Sequence, residues 1–257
     1  MITSVTNDTV KYVEKLKKKA SFRREEGAFV VEGIRMIREV PEQRRRMLFL
    51  TEAAMERYPE LEGWCSRTEL VSEQVLRKLS DTETPQGMLA VVTMAVDGVR
   101  KPAEADKAPL YLVLDGVQDP GNVGTIIRTA EAVGASGVLL SRTSADPYSP
   151  KVVRSTMGTI FRVPIYIEED LPAALRKLKQ QGVAVFGTHL SGTDFYQADL
   201  TGPLAFLIGN EGNGLTPEVA AEAEHLLRIP MEGSVESLNA AVSCSVVAYE
   251  AYRQRRA

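Results

Sequence analysis

Apolar positions in the first 95 residues fall in short clusters set between charged stretches. Residues 7–20 read as an amphipathic helix opened by Asn7 or Asp8. Phe29-Val30-Val31 predicts a short strand, Gly33 to Val40 a helix stopped by Pro41, and Met47 to Leu50 a second strand. A helix over Ser72 to Leu79 and an apolar strand over Met88 to Met94 complete a small α/β unit. From Ala95 to Ala108 the apolar positions give way to Gly, Pro, Lys, Glu and Asp, the composition of a linker. Beyond Pro109 the rhythm changes. Strands are predicted at 110–114, 137–140, 183–188, 204–208 and 226–229, and helices at 122–133, 171–181, 216–223 and 239–253. Such alternation predicts a parallel sheet with helices on both faces. The division expected is 1–96, a linker at 97–108, and 109–257.

Three strand ends carry the candidate chemistry. The first strand of the second unit empties into Asp115-Gly116-Val117-Gln118-Asp119-Pro120-Gly121, and the next helix follows with Asn122 and Arg128. Turns at the carboxyl ends of parallel strands are where open α/β sheets place ligands. Glycines at 116, 121 and 124 do not spell GxGxxG, so a dinucleotide oxidoreductase is disfavoured. Asn122 suits a helix N-cap, and it equally suits a ligand contact. Val123, Ile126, Ile127 and Ala130 form the apolar stripe of that helix, and Arg128 lies off it. With no Cβ at Gly124, one turn before it, the Arg128 guanidinium is expected to reach the turn, where it suits an anion. The second loop is Gly209-Asn210-Glu211-Gly212-Asn213-Gly214, a glycine-rich turn around a carboxylate. The third runs from Ile229-Pro230-Met231 to Ser237-Leu238-Asn239, where one polar residue caps the last helix and a second is left over. That helix is apolar nearly all round from Ala240 to Tyr252, which predicts cover on both sides by its own chain or by a second copy in a homodimer.

Composition narrows the classes. The 257 residues are 44% hydrophobic and 25% charged, ordinary for a globular chain with a sizeable core. No signal pattern or membrane-length apolar run is present, and Cys65 and Cys244 lie far apart, which fits a reducing cytoplasm. With isolated His189 and His225, no metal site is expected. Residues 1–50 hold twelve Lys and Arg against seven Asp and Glu, although the whole chain has 31 against 34. Lys18, Lys19, Arg23 and Arg24 belong to this basic stretch, which suits either nucleic-acid phosphates or a solvated helix face.

Taken in order, the three motifs resemble the SpoU (TrmH-like) family of the SPOUT superfamily, the RNA ribose 2′-O-methyltransferases. Asn122, Gly124, Arg128 and Thr129 match its first motif, Gly209, Glu211 and Gly214 its second, and Ile229 through Asn239 its third. The resemblance covers 110–255, with no departure inside the motifs; only the flanking Thr156 and Ala241 stand where other small residues are common. The first unit resembles the accessory domain often joined to it, a ribosomal-protein type of kink-turn RNA binder, at Phe29 to Gly33 and Thr84 to Gly87. The resemblance implies an α/β fold, with a C-terminal SPOUT parallel-sheet domain tied in a deep trefoil knot behind a smaller RNA-binding domain. It implies S-adenosyl-L-methionine as cofactor, bound by Thr188, His189, Gly209, Ile229 and Leu238. It also implies Arg128, Asn122, Glu211, Ser237 and Asn239 as the catalytic residues, completed within the chain or across a homodimer. The family treats the Arg as catalytic and sometimes as general base. A guanidinium stays protonated, so Arg128 is better cast as a cation that grips a phosphate and stabilises a developing alkoxide. Asn122 would hold the ribose, Glu211 would orient Arg128 or Asn122, and Arg154 would add a phosphate contact to those of Lys18, Lys19, Arg23 and Arg24. The substrate implied is structured RNA, large-subunit ribosomal RNA above all. The alternatives are a tRNA 2′-O-methyltransferase and a non-catalytic RNA-binding or ribosome-assembly factor on the same fold.

Overall fold

The structure, a computed structural model, describes residues 1–95, 108–235 and 237–256. The predicted linker lies outside the described residues, apart from Ala108. Two units form: residues 1–95 with 146–161, and residues 108–145 with 162–256.

In the first unit, α1 (Asp8–Lys18) opens where the polar-to-apolar switch predicts it, and the Asn7 side-chain oxygen accepts from the Thr9 amide at 2.8 Å. Val10, Val13 and Leu16 are its buried stripe, and Lys15, Lys17 and Lys18 fill the last turn, where cations complement the helix dipole. Lys19 is extended, so the single helix predicted over 7–20 is broken there, and α2 (Ala20–Glu26) follows. Next come β1 (Ala28–Glu32), α3 (Ile34–Arg38), β2 (Arg45–Leu50), α4 (Glu52–Arg57), β3 (Thr68–Leu70), α5 (Glu73–Leu79) and β4 (Met88–Thr93). The sheet order is β1-β4-β2-β3. β4 runs antiparallel to both its neighbours, and β3 runs parallel to β2. Val13 and Leu16 of α1 and Val75 and Leu79 of α5 pack with Val30, Phe49, Leu89 and Val91 of the sheet. α2, α4 and β3 were not predicted. Each has seven residues or fewer, too short to show a period.

The second unit begins with β5 (Leu110–Asp115), α6 (Pro120–Ala132) and β6 (Gly137–Ser141). The chain then supplies a segment to the first unit, residues 146–161 with α7 (Pro150–Thr156), although the predicted division kept it with 109–257. There the Phe29 ring lies 5.0 Å from that of Tyr148 and 6.1 Å from that of Phe161, and the Arg44 guanidinium covers Phe161 at 5.1 Å. Arg23, expected to touch RNA, is only 4% exposed. Its Nε donates to Asp146 Oδ2 at 2.9 Å, and its Nη1 donates to the carbonyls of Leu16 (2.6 Å) and Lys17 (2.9 Å). Arg23 is therefore a structural cation that closes α1 and anchors the returning segment. Breaking a buried pair leaves an uncompensated charge, so Arg23→Ala is expected to cost about 3–5 kcal/mol. Denaturant melting checks this, and a loss below about 1 kcal/mol, as for a surface pair, would reject the assignment.

Back in the second unit follow β7 (Ile165–Glu168), α8 (Leu171–Gln180), β8 (Ala184–Asp194), β9 (Leu204–Gly209), α9 (Pro217–Ala220), β10 (His225–Arg228) and α10 (Ala240–Gln254). Six strands in the order β10-β8-β9-β5-β6-β7 form an all-parallel sheet. β7, a four-residue edge strand, was not predicted, and the helix predicted over 216–223 shrinks to the single turn of α9. Val113, Leu139, Val185 and Leu207 point to one face and pack on Leu171, Ala174, Leu175 and Leu178 of α8. Strand side chains alternate, so the intervening positions face the other side, where α6 packs on β5 and β6 and α10 packs on α6 and β9.

Candidate functional site

The site is built at the carboxyl ends of β5, β9 and β10. β5 ends on the buried Asp115, whose Oδ2 accepts from the Thr216 amide (2.7 Å) and hydroxyl (2.8 Å). Gly116 follows with φ 68°, a turn that L side chains resist. Asp119, not Asn122, caps α6: its Oδ1 accepts from the Asn122 amide at 2.8 Å, with Pro120 in the first turn. The capping role open to Asn122 in the sequence is thus taken, and its side chain is left for other work.

That side chain stands in a short chain of hydrogen bonds. Asn239 caps α10, its Oδ1 accepting from the amides of Ala241 (3.0 Å) and Val242 (3.3 Å). Its Nδ2 donates to Asn122 Oδ1 at 3.0 Å, and Asn122 Nδ2 donates to Glu211 Oε1 at 2.8 Å. Glu211 also accepts from the amides of Gln118 and Asp119, each at 3.3 Å. Partial burial pushes the Glu211 carboxyl upward, but the bonds from Asn122 and these amides outweigh it and hold it below its ordinary range. The chain of bonds is therefore complete at neutral pH and is lost only as pH falls through that lowered value. Of the two partners expected for Glu211, the structure gives it Asn122. The second Nδ2 hydrogen of Asn122 bonds to no described residue.

The β9 loop is closed on itself. Asn210 N donates to Gly214 O (2.8 Å), Gly214 N donates to Asn210 O (3.0 Å), and Asn210 Nδ2 reaches across to Gly116 O (2.8 Å). A Cβ on Gly209 would stand 2.3 Å from the Gly214 carbonyl carbon, so only glycine allows the closure.

Beside this loop opens a cleft of about 520 Å³. Thr188, His189, Gly209, Ile229 and Leu238, the five expected cofactor positions, all lie on its wall. Glu211, Ser237 and Asn239 line it as well, together with Asn210, Arg228, Met231 and Ser243, which were not among the expected site residues. Asn210 had a signal in its place between Gly209 and Glu211, and Ser243 lies one helical turn beyond Asn239. Met231 had one in its place inside the third motif, and Arg228 had none apart from its neighbours. Thr188 and His189 sit where β8 leaves its ladder with β10: Leu226 pairs with Gly187 and Leu227 with Thr193, so the residues between are unpaired with β10.

Of the expected catalytic residues, Asn122 stands behind this wall, bonded to Glu211 and Asn239 which line it, and Arg128 does not line it; the expected RNA contacts do not line it either. Arg128 is exposed on α6, outside the wall, and makes no hydrogen bond or ion pair with a described residue. It follows Ile127 and precedes Thr129, whose hydroxyl meets that of Ser245 on α10 at 2.8 Å. Arg154 belongs to the first unit and lines a separate cleft there with Lys18. Lys19 and Arg24 are exposed. Cys244 is fully buried, and burial pushes its thiol far above its ordinary range, so it offers no nucleophile. Among the described residues no group of three or more His, Cys, Asp or Glu is placed to hold a metal, and no helix is long and apolar enough to cross a membrane.

Residues 109–249 match the SpoU rRNA methylase family, and residues 7–90 match the MRM3-like substrate binding domain. The chain is 34% identical to the 23S rRNA (guanosine(2553)-2′-O)-methyltransferase RlmP of Bacillus subtilis, across 96% of this chain and 97% of that one. Among solved structures it is similar to the SpoU methyltransferase AviRb of Streptomyces viridochromogenes in complex with AdoMet, with TM-score 0.86, 30% identity and coverage of 97% and 98%. It is similar also to an AdoMet-bound rRNA methyltransferase of Sinorhizobium meliloti, with TM-score 0.85, 32% identity and coverage of 98% and 97%.

Proposed function

The chain belongs to the SpoU rRNA methylase family, and from that membership we propose that it transfers a methyl group from S-adenosylmethionine to a ribose 2′-hydroxyl of ribosomal RNA. The observation that carries this reading is the convergence of Thr188, His189, Gly209, Ile229 and Leu238 on one cleft beside the Asn239–Asn122–Glu211 chain. They come from four stretches of chain, at 122, 188–189, 209–211 and 229–239.

The cleft suits that cofactor. Its volume lies within the roughly 300–1,000 Å³ usual for small-ligand sites. Ile229, Met231 and Leu238 offer an apolar wall for a flat base, and the loop backbone offers hydrogen bonds. When bound, the cofactor supplies an activated sulfonium methyl, so the protein needs no nucleophile of its own. Orienting the ribose oxygen in line with that methyl supplies ~7–11 kcal/mol of such a barrier. Asn122, held by Asn239 and Glu211, presents its remaining N–H to the ribose. Ser237 adds a hydroxyl on the same wall. Glu211 acts as the anchor of this arrangement, its lowered pKa making it a poor base. Arg128 grips the RNA phosphate and stabilises the alkoxide as the proton leaves to phosphate or water.

The finer architecture follows the same reading. The chain pairs β10 at one edge of the sheet and then returns to lay α10 over β9 and α6, a path that supports the deep trefoil knot. The mixed sheet and helices of the first unit support the kink-turn type of RNA binder. α10 settles its own ambiguity only in part: Cys244, Val247, Ala248 and Ala251 are buried in the chain, while Val242 and Tyr249 are 48% and 50% exposed. We assign those two to a homodimer interface. Arg128, next to the α6–α10 contact and outside its own cleft, would then serve the partner's cleft. Val242→Glu with Tyr249→Glu is expected to yield a monomer by sedimentation equilibrium; an unchanged mass would reject this interface. Such a protein works in the cytoplasm, and Cys65 and Cys244 are both free.

The deciding experiment is label transfer from S-adenosylmethionine to 23S ribosomal RNA, followed by nucleoside analysis. A 2′-O-methylated nucleoside is the expected product. Label on a base, or cofactor binding with no label in RNA, would reject the function.

A further inference from the structure

The first unit carries a second cleft, of about 540 Å³, lined by none of the residues assigned to catalysis. Five cations line it: Lys17, Lys18, Lys78, Lys151 and Arg154. Only two carboxylates, Glu14 and Asp81, share the wall with them. Each carboxylate is divided between two cations. Glu14 Oε1 lies 3.3 Å from Lys18 Nζ and 3.4 Å from Lys78 Nζ. Asp81 lies 3.0 Å from Lys17 Nζ through one oxygen and 3.8 Å from Arg154 Nη1 through the other. The internal pairs therefore leave the wall with a surplus of three positive charges, five cations against two carboxylates. Lys151 is exposed and pairs with no described residue.

We propose that this cleft binds the phosphodiester backbone of the RNA substrate, through Lys18, Lys78, Lys151 and Arg154. The proposal rests on the RNA-methylating function above and extends it to how the substrate is held. The chemistry of the wall selects backbone over base. Among the described residues no aromatic ring lines the cleft, so an unstacked base has no platform there, whereas four cations and the hydroxyl-bearing Ser80 and Ser149 suit phosphate oxygens. Sequence-neutral contacts of this kind set register and affinity and leave the choice of nucleotide to other surfaces. Lys18 and Arg154 were expected as RNA contacts, and the structure adds Lys78 and Lys151 beside them. Lys151 and Arg154 lie inside the stretch matched to the methylase family, 109–249, yet they pack in the first unit. Residues 7–90, matched to the substrate-binding domain, supply only Lys18 and Lys78 of the four.

The test is salt-dependent binding of the full chain to a 23S ribosomal RNA transcript, from about 50 to about 200 mM KCl. Removing one cation that neutralises a phosphate should flatten the slope of log affinity against log salt by ~0.7–0.9. Lys78→Ala, Lys151→Ala and Arg154→Ala combined should therefore flatten it by about two to three and weaken binding at least tenfold. Affinity for S-adenosylmethionine, read by calorimetry, should be unchanged. If the combined variant loses cofactor binding as well and so fails to fold, Lys151→Glu decides, because that side chain has no described partner to lose. It should weaken RNA binding, and Lys151→Arg should preserve it. An unchanged slope and affinity would overturn the proposal. So would displacement of the RNA by inorganic phosphate at matched ionic strength, which would mark a free-anion site. Failure of the functional reading itself would look different: the wild-type chain would bind RNA with its full salt slope and transfer no methyl group.

Discussion

Arg128→Ala is expected to lower methyl transfer about 10²–10³-fold, the usual cost of losing one preorganised group that stabilises developing negative charge. Cofactor affinity should stay within about twofold. The structure supports this split: Arg128 is outside the wall of the cofactor cleft and bonds to none of the residues that form it. Its guanidinium has no carboxylate partner among the described residues, so its removal leaves no orphaned group there and little change in stability. Arg128→Lys keeps the charge but loses the planar fork that meets two phosphate oxygens, and it should recover less than about a tenth of the activity. Single-turnover label transfer and calorimetry with S-adenosylmethionine read the two quantities separately. Unchanged turnover in the alanine variant would remove Arg128 from the mechanism. Near-normal activity in the lysine variant would reduce it to a point charge.

The second large effect is expected at Gly209. Alanine there would bring Cβ to 2.3 Å from the carbonyl carbon of Gly214 and 2.5 Å from the amide nitrogen of Leu215. Both are backbone atoms, so nothing can rotate aside, and the 210–214 loop must open. Overpacking of this kind costs ~1–3 kcal/mol. Because that loop carries Glu211 and forms one wall of the cleft, the strain should appear as a ten- to hundred-fold loss of cofactor affinity, together with a lower melting temperature. Gly202→Ala is the control, since a Cβ there meets nothing within 4 Å. Calorimetry on the two variants checks the claim. Equal affinities would show that the closed loop is not what shapes the cleft.

How much of this was legible depended on the range of the interaction involved. The caps of α1 and α10 could be narrowed to Asn7 or Asp8 and to Ser237 or Asn239, and the structure selects Asn7 and Asn239, whose side chains bond amides two or three residues away. For α6 the sequence left Asn122 open between cap and ligand contact, and the structure puts the cap at Asp119, with Pro120 in the first turn. Arg23 looked like its basic neighbours. Its partner Asp146 is 123 positions away, and no local pattern announces a pairing of that kind. The four-residue β7 and three-residue β3 were missed because so few positions show neither alternation nor helical spacing.

By itself the sequence determined the positions of the long strands, the all-parallel character of the second sheet, the three motif loops at strand ends, and the family they mark. Those features follow from periods of two and 3.6 and from residue types at fixed local spacing. Only the tertiary structure decided that the second and third loops share one cleft with Thr188 and His189, that Asn122 of the first motif sits between Asn239 and Glu211, that Arg128 stands outside, and that residues 146–161 complete the first unit. The physical reason is the strand order β10-β8-β9-β5-β6-β7. It sets β9 beside β5 although β6, β7 and β8 lie between them in the chain. Contacts across that junction span 89 to 117 residues, set by which strands hydrogen-bond and by no local period.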